Sequence, residues 1–267
     1  MQTRAIAGAL LAIAILTGWT WPAPHAPSPR AALVLPDPLP QRRLVVPILM
    51  YHRIGPEPHG PAITDTLTVL PAMFASEMLW LRAAGYDAVT PVQLFDALEH
   101  GARLPRRPVV ITFDDGYRDV LWNAAPLLRR LHMRATAFVI TGRLSGPDSS
   151  FLTWAELRAL ERDGFTIGSH TVHHLELTRL PRRVAFSELV ASRRALERHL
   201  GHAVPWLAYP AGRENAAVVA LARRAGYVLA VTTAAGDVQS AQRPLELQRY
   251  EIADATGVRG LAALLGR

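Results

Sequence analysis

The chain has 267 residues, half of them hydrophobic, with 29 Lys+Arg against 22 Asp+Glu for a formal charge of +7. This is enough apolar chain for one large core and too little for a second domain of ordinary size, and the lack of cysteine excludes disulfides and a lipid-modified cysteine. The basic excess does not indicate a nucleic-acid partner, because every basic residue is arginine, no basic run exceeds two residues, and no helix-turn-helix or aromatic-rich ribonucleoprotein motif occurs.

Arg4 precedes an apolar stretch over residues 5–16 that reads as an export signal and is short for a spanning helix. The bulky Trp19-Thr-Trp21 and the missing small-x-small cleavage site leave an uncleaved anchor as the alternative, so residues 1–21 are expected to be a signal peptide or a signal anchor. Residues 22–44 are proline-rich and read as a stiff, extended tether. Residues 45–267 are expected to form one domain. Its first strand, Val46-Pro-Ile-Leu-Met-Tyr51, ends at His52, a position where a histidine ordinarily caps a core strand. A second apolar strand over residues 108–113 ends in Asp114-Asp115-Gly116-Tyr117, which is both a common turn sequence and a pair of adjacent carboxylates.

Thr153-Trp-Ala-Glu156 reads as a capping box that opens a helix toward Asp163, with Gly164 placed to end it. A strand over residues 165–168 then leads into Ser169-His170-Thr-Val-His173-His174. Phe186, Leu189, Val190, Leu196 and Leu200 are predicted to share one helical face, closed by Gly201 ahead of a strand over residues 204–209. Asn215 is placed to cap a helix over residues 216–225, Gly226 to stop it, and residues 227–232 to form the next strand. Such alternation predicts an α/β fold with a parallel sheet, whose functional residues sit at the C-terminal strand ends, where Asp114, Asp115, His170 and Tyr209 fall. Arginine pairs such as Arg129-Arg130, Arg182-Arg183 and Arg193-Arg194 lie on predicted helices. A solvated outer face is their ordinary explanation, and attraction to an anionic envelope or matrix polymer is the other.

Catalytic zinc is commonly held by two histidines and one carboxylate, which leaves a position open for water or substrate. Asp115 with the i, i+4 pair His170 and His174 supplies that set. Zn²⁺ is the expected ion, and Co²⁺, Ni²⁺ or Fe²⁺ fits the same donors. Asp114 is then a spare carboxylate, able to take a proton from water that such an ion has made acidic.

Thr112-Phe113-Asp114-Asp115-Gly116 and His170-Thr-Val-His173-His174 resemble the T-F-D-D-G and H-[ST]-x-x-H motifs of the polysaccharide deacetylases of carbohydrate esterase family 4, the NodB-homology domain. The resemblance covers about residues 45–252. It implies a distorted, incomplete (β/α) barrel, a single catalytic domain, and metal-dependent removal of acetyl groups from an N-acetylated glycan polymer. It also implies Asp114 as general base and Asp115, His170 and His174 as metal ligands, while His173 falls on a variable position. Leu49-Met50-Tyr51-His52 is similar to the opening of the subgroup acting on poly-β-1,6-N-acetylglucosamine, in which the early histidine is the general acid, the role this implies for His52. Trp206-Leu-Ala208-Tyr209-Pro210-Ala-Gly212 resembles the third motif in that subgroup's form, with Tyr209 expected to face substrate. Many members carry an arginine where Ala208 stands, and it orients the catalytic aspartate; Arg213 or Arg249 is expected to take over here. Tyr117 is expected among the substrate-binding residues, with a backbone N–H near it stabilising the oxyanion. Peptidoglycan or β-1,4-linked chito-oligomers are the alternative substrates, and a non-catalytic glycan-binding relative is the alternative outside enzymes. The expected site of action is outside the cytoplasm, at the cell surface, in the periplasm or beyond, with a membrane tether through the N-terminal segment and no nucleic-acid partner. The sequence fixes no oligomeric state.

Overall fold

The computed structural model describes residues 41–56 and 67–266. The expected leader over residues 1–21 and the expected tether as far as residue 40 lie outside the described residues. The described chain runs β1 (Arg43–Val45), β2 (Ile48–Tyr51), β3 (Arg53–Ile54), β4 (Thr68–Val69), α1 (Pro71–Ala83), β5 (Asp87–Ala88), α2 (Pro91–His100), β6 (Pro108–Phe113), α3 (Ala125–Arg130), β7 (Ala135–Val139), α4 (Trp154–Arg162) and β8 (Phe165–Ser169). It continues through α5 (Arg182–Leu200), β9 (Trp206–Ala208), α6 (Ala216–Arg224), β10 (Leu229–Val231), β11 (Val238–Ser240), β12 (Tyr250–Glu251) and α7 (Gly257–Leu265). Residues 43 and 44, expected in the tether, belong to β1, which pairs antiparallel with β11.

The main sheet has the order β10-β9-β8-β7-β6-β2-β12, with β5 added beside the start of β6. Its ladders are parallel. The sheet curls into a half-barrel, the incomplete barrel that the sequence resemblance implies. Residues 247–251 approach both of its edges, for Leu247 bridges to Val231 of β10 while Tyr250 pairs with Leu49 of β2.

The period of two along each strand divides the core. Val109, Ile111 and Phe113 of β6 pack with Leu49, Tyr51 and Phe74 in one cluster. Val110 packs with Phe138, Trp206, Ala208 and Leu229 in another, which fills the inside of the curl. Asp114 follows Val110 by four residues and so projects to that inner side.

Local signals place the helices. Thr153 and Glu156 form the expected capping box, Asn215 Oδ1 accepts from Val218 N at 3.0 Å, and Gly201 ends α5 with φ 82°. Three strands, β2, β9 and β10, are shorter than their apolar runs. Val204 N donates to Glu197 Oε1 and Pro205 has no N–H to give to a ladder, so pairing begins at Trp206. On α5 the buried stripe is Ala185, Glu188, Leu189, Ser192 and Leu196, while Phe186 and Val190, expected on the core face, are only half-buried. The stripe is rotated because two polar residues of the inner face, Glu188 and Ser192, have partners beneath the helix.

One buried acid has no place in this frame as an ion. Glu77 of α1 has no solvent exposure; its Oε2 accepts from Tyr51 Oη at 2.9 Å, and its Oε1 has no partner among the described residues. Burial, with a smaller push from Asp254, outweighs the Tyr51 hydrogen bond and raises the carboxyl from 4.5 to about 7. The folded chain therefore holds this proton more tightly than the unfolded one. The stabilisation is complete below about pH 4.5 and is lost as pH rises through about 7. Urea denaturation across that interval is expected to show a stability loss of about 3 kcal/mol from this group. Glu77→Gln should remove that part of the slope, and an unchanged slope would assign it to other groups.

Candidate metal centre and catalytic site

Four loops at the C-terminal ends of β2, β6, β8 and β9 build the site. Consecutive residues of a strand project to opposite faces, so Asp114 and Asp115 would diverge if β6 simply continued. Asp115 instead takes φ 72° and Gly116 φ 84°, and the turn brings the second carboxylate to the histidine loop. Asp115 Oδ1 lies 3.5 Å from His170 Nε2 and 3.7 Å from His174 Nε2. Donors placed about 2.0–2.1 Å from a tetrahedral zinc ion stand about 3.3 Å apart, close to these separations. Asp115 Oδ1 is also buried without a hydrogen-bond partner among the described residues, as an acceptor reserved for a cation would be. The set fits a divalent ion.

Each ligand is held from behind. His170 is 2% exposed and its Nδ1 lies 2.8 Å from the Ala208 carbonyl. That contact makes Nδ1 the protonated nitrogen and leaves the Nε2 lone pair facing Asp115 and His174. His174 takes φ 57° and Thr171 φ 67°, and the turn between them is tied by His174 N donating to Thr171 Oγ1 at 3.2 Å. Burial first, and then neighbouring His170, lower the His174 pKa and favour the neutral imidazole that ligation needs. Glu188 of α5 secures the loop's middle, accepting from Val172 N at 3.1 Å and His173 N at 2.9 Å while His173 Nδ1 sits 2.7 Å from its other oxygen. His173 is thereby turned away from the ligands. Glu188 escaped the sequence reading, although a glutamate among Ala185, Leu189 and Ser192 on a buried helical stripe was a usable signal.

Asp114 is 2% exposed and does not share the ligand geometry. Arg249 grips it with both arms, Nη1 to Oδ1 at 2.9 Å and Nη2 to Oδ2 at 2.7 Å. The guanidinium also donates to Thr112 Oγ1 and to the Thr232 carbonyl. Of the two arginines expected to replace the one absent at Ala208, the structure brings Arg249 to the aspartate and leaves Arg213 exposed. Burial alone would raise the Asp114 carboxyl; Arg249 first, then His170 and His52, overcome it and hold the carboxyl at about 2. His52 follows β2 directly, next to Tyr51, whose carbonyl accepts from Asp114 N at 2.9 Å, and its electrostatic influence reaches both Asp114 and His174.

The two tyrosines differ. Arg118 N donates to the Ser150 carbonyl and Leu152 N to the Gly116 carbonyl, so Tyr117 and Phe151 between them form a non-hydrogen-bonded antiparallel pair. Their rings stack at 4.9 Å and the Tyr117 N–H faces away from this strap. Tyr209, expected to face substrate, has 0% exposure and packs with Leu189, Leu207 and Tyr227. Its side chain belongs to the core because β9 turns it under α5 and α6, and what this motif offers the site is the main-chain carbonyl of Ala208. Trp206 is likewise buried.

A profile of the family described as Polysaccharide deacetylase matches residues 101–230. YxkH of Bacillus subtilis (strain 168), which bears a provisional polysaccharide deacetylase name, is 32% identical over 217 residues, covering 81% of this chain and 74% of that protein. The poly-beta-1,6-N-acetyl-D-glucosamine N-deacetylase of Staphylococcus aureus (strain MSSA476) is 25% identical over 171 residues, and the match spans 60% of this chain but only 59% of that enzyme. Among solved structures, the Streptococcus pyogenes deacetylase PplD in complex with acetate is similar with a TM-score of 0.77 at 29% identity, covering 85% of this chain and 99% of that one.

Two outcomes follow from this geometry. Arg249→Gln should destabilise the fold near neutral pH by about 3–5 kcal/mol, because it leaves Asp114 buried and charged. Adding Asp114→Asn should recover part of that loss; simple additivity in urea denaturation would show that the pair is not coupled. After dialysis against Zn²⁺, Asp115→Ala and His170→Ala should retain far less metal than the parent by elemental analysis, whereas His173→Ala should retain as much.

Proposed function

Because the chain belongs to the polysaccharide deacetylase family, we propose that it is a metal-dependent N-deacetylase, with zinc as its ion, that acts on N-acetylglucosamine polymers and on poly-β-1,6-N-acetylglucosamine first among them. The observation that carries this reading is the second carboxylate. A module that only bound glycan would need neither Asp114 nor a buried arginine to keep it ionised beside three metal-ligand side chains. The β-1,6 preference is supported by the Leu49-Met50-Tyr51-His52 opening and by the similarity to the Staphylococcus aureus enzyme.

Asp115, His170 and His174 would hold the ion, which when bound polarises the acetamide carbonyl and raises the acidity of the attacking water. Asp114 takes the proton from that water. A carboxylate held near 2 is a weak base, suited to water that is already acidified, and the bidentate Arg249 contact fixes its direction. The Tyr117 N–H, turned away from the Phe151 strap, is the donor suited to the developing oxyanion. His52 gives a proton to the departing amine, so that water and amide become acetate and a free amine. In this reading residues 1–21 direct export, the proline-rich residues from 22 up to the start of β1 form the tether, and the polymer is met outside the cytoplasm.

Acetate release by the zinc-loaded chain from β-1,6- and β-1,4-linked N-acetylglucosamine oligomers tests the reading. Release is expected to favour the β-1,6 series and to fall roughly 10²–10⁴-fold in Asp114→Asn and in His52→Ala. Release from β-1,4 oligomers alone would move the substrate to chitin-type or cell-wall glycans. No release from either, with zinc bound, would end the N-acetylglucosamine assignment.

A further inference from the structure

The outer face of α5 is built unlike a merely solvated helix. Arg183, Arg194 and Arg198 line a groove of ≈ 450 Å³ whose floor includes Phe186 and Val190. At 100° per residue, positions separated by 11 and 15 fall within about 60° of one another, so the three arginines form one stripe about 22 Å long. Arg224 of α6 adds a fourth guanidinium, 4.7 Å over the Phe186 ring. The 19-residue helix carries two carboxylates and both are engaged elsewhere: Glu188 is buried against the His173 loop and Glu197 is bonded to Arg193. Among the described residues Arg183, Arg194 and Arg198 have no ion pair, and Val184 beside them is 42% exposed.

We propose that this stripe docks the domain onto an anionic phospholipid surface. Charge complementarity is the first reason, since unpaired guanidiniums over about 22 Å match a row of headgroups better than one small anion. The second is the apolar surface beside the arginines, because Phe186 and Val190 in the groove and the exposed Val184 on the stripe's other flank suit the boundary of headgroup and acyl chain, which a soluble polyanion lacks. The third is the chain that leads up to the sheet: an apolar stretch over residues 5–16 and a proline-rich one that starts at residue 22 and ends before Arg43, where β1 begins. Docking through the outer face of α5 leaves the site open, for the histidine loop is met by Glu188, which belongs to the helix's buried stripe. This inference does not depend on which glycan is the substrate.

The full chain is mixed with phosphatidylcholine vesicles with and without phosphatidylglycerol, at low and high salt, and partitioning is measured by sedimentation. Residues 5–16 would bind both vesicle types, so the informative quantity is the ratio of the two partition coefficients. Each arginine near an anionic surface contributes roughly fivefold, so Arg183→Gln/Arg194→Gln/Arg198→Gln should lower that ratio roughly a hundredfold at low salt. A control with the same charge change elsewhere, Arg103→Gln/Arg106→Gln/Arg158→Gln, should keep most of it. Acetate release from soluble oligomers should be the same in all three proteins, which separates failure to dock from failure of the active site. The proposal is overturned if the two triple variants lose the ratio equally, if neither loses it, or if soluble polyphosphate displaces the parent from anionic vesicles at equivalent phosphate.

Discussion

The buried pair of Arg249 and Asp114 is the constraint on which the rest of the structure turns. The Arg249 side chain has no exposure, and its cost of leaving water is offset by four hydrogen bonds, two of them to a carboxylate that is itself buried. Its position is as telling as its contacts. Residues 247–251 run between the two edges of the curled sheet, bridging to β10 at Leu247 and to β2 at Tyr250. Arg249 lies between those two anchors and points into the curl. The same side chain therefore ties the sheet's open side together and keeps the candidate base ionised where burial alone would have neutralised it. Fold closure and the charge of the candidate base are not independent here.

Backbone geometry does the corresponding work for the candidate metal ligands. A regular strand cannot turn two consecutive carboxylates toward one loop, and the histidine loop has to fold back within five residues to present both rings. Asp115, Thr171 and His174 all sit at positive φ, a conformation that costs a non-glycine residue about 1–3 kcal/mol unless its surroundings enforce it. The enforcement is visible. The Gly116 carbonyl and Arg118 N are bonded to the strap at residues 150–152, and the histidine loop is bonded to Glu188, Thr171 and Ser169. These bonds and the reserved Asp115 oxygen belong to one arrangement, in which the protein holds the donors together in advance of a cation.

Much of this was legible in the sequence where its cause was local. The run Pro108–Phe113, the capping box at Thr153 and Glu156, Asn215 at a helix start and Gly201 at a helix end are short-range signals, and each element stands where those signals put it. The meeting of Asp115, His170 and His174 was legible because it depends on residue type and on two tight segments. What was not legible depends on contacts distant in sequence. Asp114 and Arg249 are 135 residues apart, and nothing near either residue chooses Arg249 over Arg213. Tyr209 reads as a polar aromatic at a strand end, and only the packing of α5 and α6 over it makes it core. The face of α5 was misjudged for a related reason. Hydrophobicity ranks Phe186 and Val190 above Glu188 and Ser192, but the two polar residues have hydrogen-bond partners beneath the helix, while the two apolar ones pack only at the margin of the core there.

The arginine expected at Ala208 shows how such a departure is tolerated. The Ala208 side chain lies inside the curl with Phe138, and the Arg249 guanidinium sits 6.0 Å over the Phe138 ring. A long cation reaching Asp114 from β9 and one reaching it from the segment at 249 would compete for the same interior space. With alanine on β9 the space is left to the second route. What the fold requires is a guanidinium in the inner volume that meets both carboxylate oxygens edge-on. It does not require a particular strand to supply it, because every strand of a curled sheet has side chains that point to the same interior. The β9 segment keeps a part in the site that needs no side chain, since the Ala208 carbonyl still sets the tautomer of His170.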